Sequence, residues 1–333
     1  MSHRILHVAN LPAVCRALEE ADMGGDTLAW QDLLYQGPLL ALPLDELASR
    51  RAAYFASQGW GARGRILALF ERRNEQLRAF RAYDEVVLWF DHDLLDQLQL
   101  LQLLNWFSQQ TLGKTRLSLI TLDHYPGIYR FTGLEVLKPA QLRGLLDKRL
   151  EVSLNQFELA RRAWETVTAA DPVYLQTFTW PDMSSLPYLK DALSRLQEEY
   201  PSRQDGLSRS ERQILRAVYA GACYPRHIYA TVQRMEDRPF MSEKAFRFLL
   251  RKLLHDREPC LRVKKGDRVD DIEAKAFYYQ HIVITAAGFK VLAEDRDYVF
   301  MNGIDRWVGG VHISDTRIWR RNRHNKAIKR TYA

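Results

Sequence analysis

Cysteine is scarce in this chain of 333 residues, and Cys15, Cys223 and Cys260 lie far apart. An odd number of cysteines without paired spacing excludes a disulfide scaffold and a zinc finger. Unpaired thiols fit a reducing compartment, so we expect a cytoplasmic protein.

Long apolar runs are also lacking. The longest candidate, Leu94–Phe107, is interrupted by five polar residues: Asp96, Gln97, Gln99, Gln102 and Asn105. This excludes a membrane-spanning segment there, and we expect no membrane partner. The chain is nevertheless 47% apolar and 27% charged, which excludes disorder as its main state.

Nucleotide and nucleophile motifs are missing as well. The glycines of Gly59–Gly64 follow a helical stretch, whereas a dinucleotide-binding loop follows a strand, so this run is interpreted as a turn between helices. The sequence contains no Walker A motif and no Gly-x-Ser-x-Gly elbow. The common signatures of nucleotide binding and serine hydrolysis are therefore absent.

Acidic residues are absent after Asp315, where seven basic residues follow: Arg317, Arg320, Arg321, Arg323, Lys326, Lys329 and Arg330. Their number equals the net charge of +7, so the rest of the chain is neutral. Such a basic tail either contacts phosphate groups or forms a poorly ordered, solubilising terminus.

The first part of the chain alternates strand and helix signals. Continuous apolar runs predict strands over Arg4–Ala9, Thr27–Trp30, Glu85–Phe90 and Leu117–Leu122. Strands of this kind, separated by helices, favour a parallel sheet with helices on both faces. We therefore predict a Rossmann-like α/β domain over 1–137, followed by a helical connector over 138–205.

The remaining sequence has the element order of a winged helix. Three helices, two strands and a further helix are predicted, in this order: Ser208–Gly221, Arg226–Met235, Ser242–Asp256, Cys260–Lys265, Tyr278–Thr285 and Ala286–Ala293. We predict a winged-helix-like α+β domain over 206–300 and a C-terminal segment with the basic tail over 301–333.

Several segments together resemble a bacterial family described as domain of unknown function eighteen thirty-five, with its usual C-terminal companion domain. The first domain carries three of them: His7–Asn10, Trp30–Pro38 and Leu88–Leu98. The later part carries four more: Phe157–Trp164, Leu186–Leu189, Gly206–Glu211 and Arg306–His312. The resemblance covers nearly the whole chain and implies no catalytic residue, because the family is uncharacterised.

Polar residues follow all four predicted strands, where ligands bind in open parallel sheets. Asn10 and Asp32 follow the first two, Asp91-His92-Asp93 the third and Asp123-His124 the fourth. Asp91 and Asp93 are candidate ligands of Mg²⁺ or Mn²⁺ and candidate catalytic residues, with His92 as general acid or base. Asn10, Asp32, Asp123 and His124 are candidate ligand-binding residues. The alternatives are structural: Asp93 caps the helix that begins at Leu94, and His92 fixes a loop.

Basic residues mark a candidate nucleic-acid interface. Lys244, Arg247, Arg251 and Lys252 are expected on the exposed side of the third helix, which would enter the major groove. Lys264 and Lys265 in the wing, with Arg320, Arg321 and Arg323 in the tail, would add phosphate contacts.

The leading hypothesis is a DNA- or RNA-associated regulatory protein whose first domain binds a small anionic ligand at the strand ends. One alternative is a metal-dependent phosphoester hydrolase or nuclease that uses Asp91 and Asp93. The other is a protein-interaction scaffold.

Overall fold

The computed structural model describes residues 3–178, 182–264, 271 and 274–331. The chain divides into two compact units. The first contains the chain up to Ser194 together with Trp307–Val311, and the second contains the remainder. Within the described residues, every helix is too short or too polar to cross a membrane. The finer division into four segments stays a prediction.

The first unit alternates strands and helices, as the sequence predicts. Its described elements are, in chain order, β1 Ile5–Ala9, α1 Pro12–Glu20, β2 Asp26–Ala29, α2 Leu44–Ser57, α3 Arg63–Arg78, β3 Glu85–Trp89, α4 Leu94–Phe107, β4 Arg116–Ile120, α5 Pro139–Leu146, β5 Leu150–Glu151, α6 Leu154–Thr168, α7 Pro172–Thr177 and α8 Leu189–Gln197. The last of these, α8, crosses the unit boundary after Ser194.

These strands form one mostly parallel sheet in the order β2-β1-β3-β4-β5. β1 is parallel to β2 and β3, and β3 is parallel to β4. The short edge strand β5 is antiparallel to β4 and was not predicted, because two residues carry no periodicity. In the register, Ala9 pairs with both Ala29 and Trp89, and Trp89 pairs with Ile120. The residues that follow these strands therefore start from a common edge of the sheet.

Both faces of the central strands are buried. Side chains of β1 and β3 such as Ile5, Val87 and Trp89 pack with residues of α1 and α5 in one apolar cluster. Their neighbours along the strands, which include Val8 and Leu88, point the other way and are also fully buried. This explains why these strands are continuous apolar runs rather than alternating ones.

The remaining elements are α9 Arg209–Tyr219, α10 Pro225–Met235, α11 Glu243–His255, β6 Leu261–Val263, β7 Ile282–Ile284, α12 Ala286–Leu292, α13 Tyr298–Asn302, β8 Asp305–Val308, β9 Val311–Ser314, β10 Ile318–Arg321 and β11 Ile328–Thr331. They belong to the second unit, except that Trp307 and Val308 of β8 and Val311 of β9 belong to the first. The helices α9, α10 and α11 pack against one another. The strands β6 and β7 form an antiparallel pair. The predicted strand from Tyr278 is wrong in its first part, because 275–279 form a 3₁₀ turn and β7 begins at Ile282.

The basic tail is folded, so its interpretation as a poorly ordered terminus is wrong. β10 and β11 pair as an antiparallel hairpin. Arg320 is 3% exposed, and its Nη2 lies 3.0 Å from Asp297 Oδ1. Arg321 is also buried, with its Nη2 3.7 Å from Glu198 Oε1. Much of the positive charge of this segment is therefore paired with acidic residues of the protein and is not free in solvent.

Candidate functional site

Three carboxyl groups lie buried where β3 leads into α4. Asp91 and Asp93 follow the strand, and Asp96 lies in the first turn of the helix. Asp93 is the N-cap of α4, since its Oδ1 accepts a hydrogen bond of 3.0 Å from the Asp96 backbone N–H. The predicted capping role of Asp93 is therefore confirmed. We call Asp91, Asp93 and Asp96 the acidic cluster.

Asp96 connects the ends of β1 and β3. Its Oδ1 accepts a 2.5 Å hydrogen bond from Asn10 Nδ2, and its Oδ2 accepts a 2.6 Å bond from the Asp91 backbone N–H. Asp91 Oδ2 in turn accepts a 2.6 Å bond from the Leu134 backbone N–H. The structure thus brings Asn10 and Asp91 together, as the strand ends predicted, through a carboxylate that the sequence analysis did not select.

Burial makes the acidic cluster reluctant to ionise. It raises the pKa of Asp96 to about 7. The pKa values of Asp91 and Asp93 are also raised well above the ordinary value, first by burial and then by the charge of Asp96. Asp91 Oδ1 and Asn10 Oδ1 are buried without a hydrogen-bond partner among the described residues. Protonation of Asp91 removes the cost of burying a charge on a carboxyl group whose Oδ1 has no donor beside it.

His92 lies among residues of the neighbouring loop. Its Nδ1 is 3.2 Å from the Leu122 carbonyl oxygen, and its ring centroid lies 6.0 Å from that of Tyr188. Asp123 Oδ1 is 2.7 Å from His124 Nδ1. The pKa of Asp123 is lowered, first by that bond, then by a hydrogen bond with Tyr188 and by the charges of His124 and His92. The predicted residues His92, Asp123 and His124 therefore share this edge.

Asp32 has a different environment. Its carboxylate accepts three hydrogen bonds from Arg51, of 2.9, 3.0 and 2.6 Å. Arg73 Nη1 lies 3.5 Å from Asp32 Oδ2, and the Arg73 guanidinium stacks 3.9 Å from the Trp30 ring centroid. Burial lowers the pKa of Arg73 to about 10 despite the neighbouring carboxylate. Asp32 is thus the acceptor of a buried ion-pair network. No sequence pattern identified Arg51 as its partner.

The chemistry of this edge is acidic. Among the described residues, no three His, Cys, Asp or Glu side chains are arranged to hold a metal ion. The acidic cluster offers an anionic ligand no positive charge, and each of its carboxyl groups becomes negative when it ionises. The sheet edge can hold protons and accept hydrogen bonds, whereas an anion needs a basic site.

The predicted nucleic-acid interface on α11 is mostly engaged by the protein. Arg247 was expected to be exposed; it is buried, because its guanidinium stacks 5.2 Å from the Tyr278 ring centroid. Lys252 Nζ lies 3.5 Å from Glu211 Oε1 and 3.2 Å from Tyr298 Oη. Arg251 stacks on Phe248, with 4.9 Å between the guanidinium carbon and the ring centroid. Lys244 is half-buried.

The candidate residues of the wing and of the tail differ in their exposure. Lys264 is exposed, whereas Lys265 lies outside the described residues. In the tail, Arg320 and Arg321 are buried, and Arg323 pairs with Glu294. Arg320 therefore cannot make the predicted contact with a nucleic acid while its ion pair with Asp297 persists.

A groove of about 630 Å³ in the second unit was missed by the sequence analysis. Its lining consists of Tyr224, Tyr229, Tyr278 and Tyr279 together with Arg226, His227, Glu243 and Lys275. We call it the tyrosine groove. Tyr224 is the N-cap residue of α10, whereas Tyr278 and Tyr279 end the 3₁₀ turn before β7. Only the clustering of tyrosines in two separate segments could have signalled it.

The chain matches no family model and no curated protein sequence. The resemblance to domain of unknown function eighteen thirty-five stays a prediction.

Proposed function

We propose that this protein binds single-stranded nucleic acid in the tyrosine groove of its second unit. The observation that carries the proposal is the lining of that groove, where four tyrosines stand beside Arg226, His227 and Lys275. Aromatic rings on which bases stack, beside cations that contact phosphates, are the usual combination for binding single strands.

The rings differ in how firmly they are held. Tyr279 is 69% exposed and offers a face to a ligand. Tyr224 is braced edge-on by the His281 ring, with 5.4 Å between centroids. Tyr229 Oη donates a 3.0 Å hydrogen bond to the Met241 carbonyl oxygen. A ring held in place loses little conformational entropy when a base stacks on it.

The charges of the groove favour a polyanion. Arg226 and Lys275 are exposed cations, and Glu243 is the acidic residue among the lining side chains. Arg226 lies in the first turn of α10, where the positive end of the helix dipole adds to its charge.

Binding of α11 in the major groove of a nucleic-acid duplex has less support, since Arg247 and Lys252 already have partners within the protein. The finer assignments belong to the same proposal. The order α9-α10-α11-β6-β7-α12 supports the proposal of a winged helix, and the mostly parallel sheet of the first unit supports the proposal of a Rossmann-like domain. The cytoplasmic location, the regulatory role, the hydrolase and the scaffold stay predictions.

The test is fluorescence anisotropy with labelled single-stranded RNA and DNA of about 16 nucleotides, which is the upper site size known for a single OB fold, another module that binds single strands. We expect Tyr279→Ala to weaken binding by roughly 1–3 kcal/mol, because one stacking surface is lost. Arg226→Gln should weaken binding and lower its salt dependence, because one phosphate contact is lost.

The control is Tyr219→Ala, which removes a tyrosine of α9 that is 61% exposed and does not line the groove. It should bind as the wild type does. Equal binding by Tyr279→Ala, Arg226→Gln and the wild type would refute the proposal, and so would absence of binding by the wild type at low salt.

A further inference from the structure

A second pocket of the same unit is lined by arginines rather than tyrosines. Its volume is about 470 Å³, within the range of small-molecule sites. Five arginines line it: Arg209, Arg212 and Arg216 from α9, and Arg321 and Arg323 from β10 and the turn after it. The acidic residue of the lining is Glu198. We call this site the arginine pocket.

Several guanidinium donors of this pocket lack an acceptor. Arg212 is 6% exposed and forms an ion pair with Asp205. Its Nη1 nevertheless has no hydrogen-bond partner among the described residues, and neither has Nε of Arg321 or of Arg323. Buried charged donors are costly to leave unsatisfied, so these atoms point to a ligand that supplies acceptors.

The surrounding acids do not neutralise the lining fully, because four of them, Glu198, Asp205, Glu236 and Glu294, face five lining arginines. Glu198 is shared, since it accepts a 2.7 Å hydrogen bond from Arg209 and lies 3.7 Å from Arg321. Glu236 contacts Arg209 but also pairs with Arg195 outside the lining.

The arginines also lie close enough to repel one another. The pKa of Arg212 is lowered to about 9, chiefly by burial and further by the charges of Arg323 and Arg216. A bound anion would offset both the burial of the Arg212 charge and the repulsion among the arginines. It would accept hydrogen bonds from the buried guanidinium and place a negative charge among the positive ones.

We propose that the arginine pocket binds the phosphate group of a small soluble ligand. Guanidinium groups match phosphate oxygens in paired, charge-assisted hydrogen bonds, which is why arginine clusters recognise phosphates. The rest of the ligand would lie against Tyr200, Leu207 and Met235. Gln213 Oε1 is buried there without a partner among the described residues and would accept a hydrogen bond from a hydroxyl or amino group.

This proposal does not rest on nucleic-acid binding, because the arginine pocket and the tyrosine groove share no lining residue. Each can fail while the other stands. It also places the predicted small anionic ligand in the second unit, at a basic site instead of the acidic edge of the sheet.

The experiment is isothermal titration calorimetry of the full chain at constant ionic strength. The probes are inorganic phosphate, adenosine monophosphate and a single-stranded oligonucleotide. We expect saturable one-site binding of inorganic phosphate or of the monophosphate, with the tighter of the two identifying the source of the phosphate. Arg216→Gln should weaken this binding by about tenfold or more, because a charged hydrogen bond is lost.

Arg216 is exposed, so Arg216→Gln should fold even where the buried Arg212→Gln does not. Arg262→Gln, at an exposed arginine of β6 outside the pocket, is the matched control and should bind as the wild type does. The proposal is overturned if neither small probe saturates, or if Arg216→Gln binds them unchanged. It is also overturned if Arg216→Gln affects only the oligonucleotide, since the phosphate then belongs to nucleic acid.

Discussion

The buried carboxyl of Asp96 should make the stability of the first unit fall as the pH rises toward neutrality. Its ordinary pKa is 3.8, and burial raises it to about 7 in the fold. The folded chain therefore retains a proton that the unfolded chain has lost. This contribution to the free energy of unfolding is fully present below pH 4 and is lost progressively as the pH rises to about 7. Above pH 7 the total loss is roughly 4 kcal/mol.

Replacing Asp96 by Asn should remove this pH dependence. At pH 4 we expect Asp96→Asn to be less stable by roughly 1–3 kcal/mol, because one oxygen that accepts from Asn10 or from the Asp91 backbone is replaced by a donor. At pH 8 the wild type contains a buried charge that the variant lacks. The two stabilities should therefore cross between these values.

The assay is urea denaturation followed by tryptophan fluorescence, since Trp30 and Trp89 are fully buried in the first unit. Titrations of groups that do not interact with Asp96 cancel in the difference between variant and wild type, whereas those of Asp91 and Asp93 change with it because the charge of Asp96 raises their pKa values. One titration that cancels is that of His7, whose pKa is lowered chiefly by burial and whose contribution runs in the opposite sense.

The control is Leu98→Ala in α4, which removes a fully buried side chain without a titratable group. Its difference from the wild type should stay constant with pH. A difference between Asp96→Asn and the wild type that is equally constant from pH 4 to pH 8 would refute the reasoning.

Three further perturbations test the fold. Ser153→Ala removes the N-cap of α6 and should cost about 1 kcal/mol in urea denaturation, whereas Ser153→Asp should cost much less. Asp32→Ala leaves the guanidinium of Arg51 buried without its carboxylate, so the unfolding free energy should fall by roughly 3–5 kcal/mol; a loss below about 1 kcal/mol would contradict the ion-pair assignment. A chain ending at Ser314 lacks β10 and β11 and should unfold at a lower temperature in calorimetry, whereas a dispensable tail would leave that temperature unchanged.

Local signals predicted the elements well where one segment decides its own structure. Asp93 was identified as a cap because it directly precedes an apolar helix. The parallel strands were identified because burial on both faces leaves continuous apolar runs. These features depend only on residues that are close together in the chain, so a single sequence is enough to find them.

Features that depend on distant partners could not be predicted. Arg247 has helical spacing suited to the exposed side, yet it is buried because Tyr278 supplies a ring for its guanidinium. Arg320 is buried because Asp297 lies beside it in the fold. For the same reason the tyrosine groove and the arginine pocket could not be predicted from the sequence, since the residues of each come from segments separated along the chain.

Photo-crosslinking tests nucleic-acid binding by the second unit most directly. The probe is a single-stranded oligonucleotide that contains 5-iodouracil, which crosslinks to aromatic side chains stacked on it, and mass spectrometry identifies the crosslinked residue. We predict crosslinks at Tyr279 and Tyr224, which are lost on Tyr279→Ala and Tyr224→Ala and kept in Tyr219→Ala. Crosslinks confined to residues outside the tyrosine groove would contradict the proposed function.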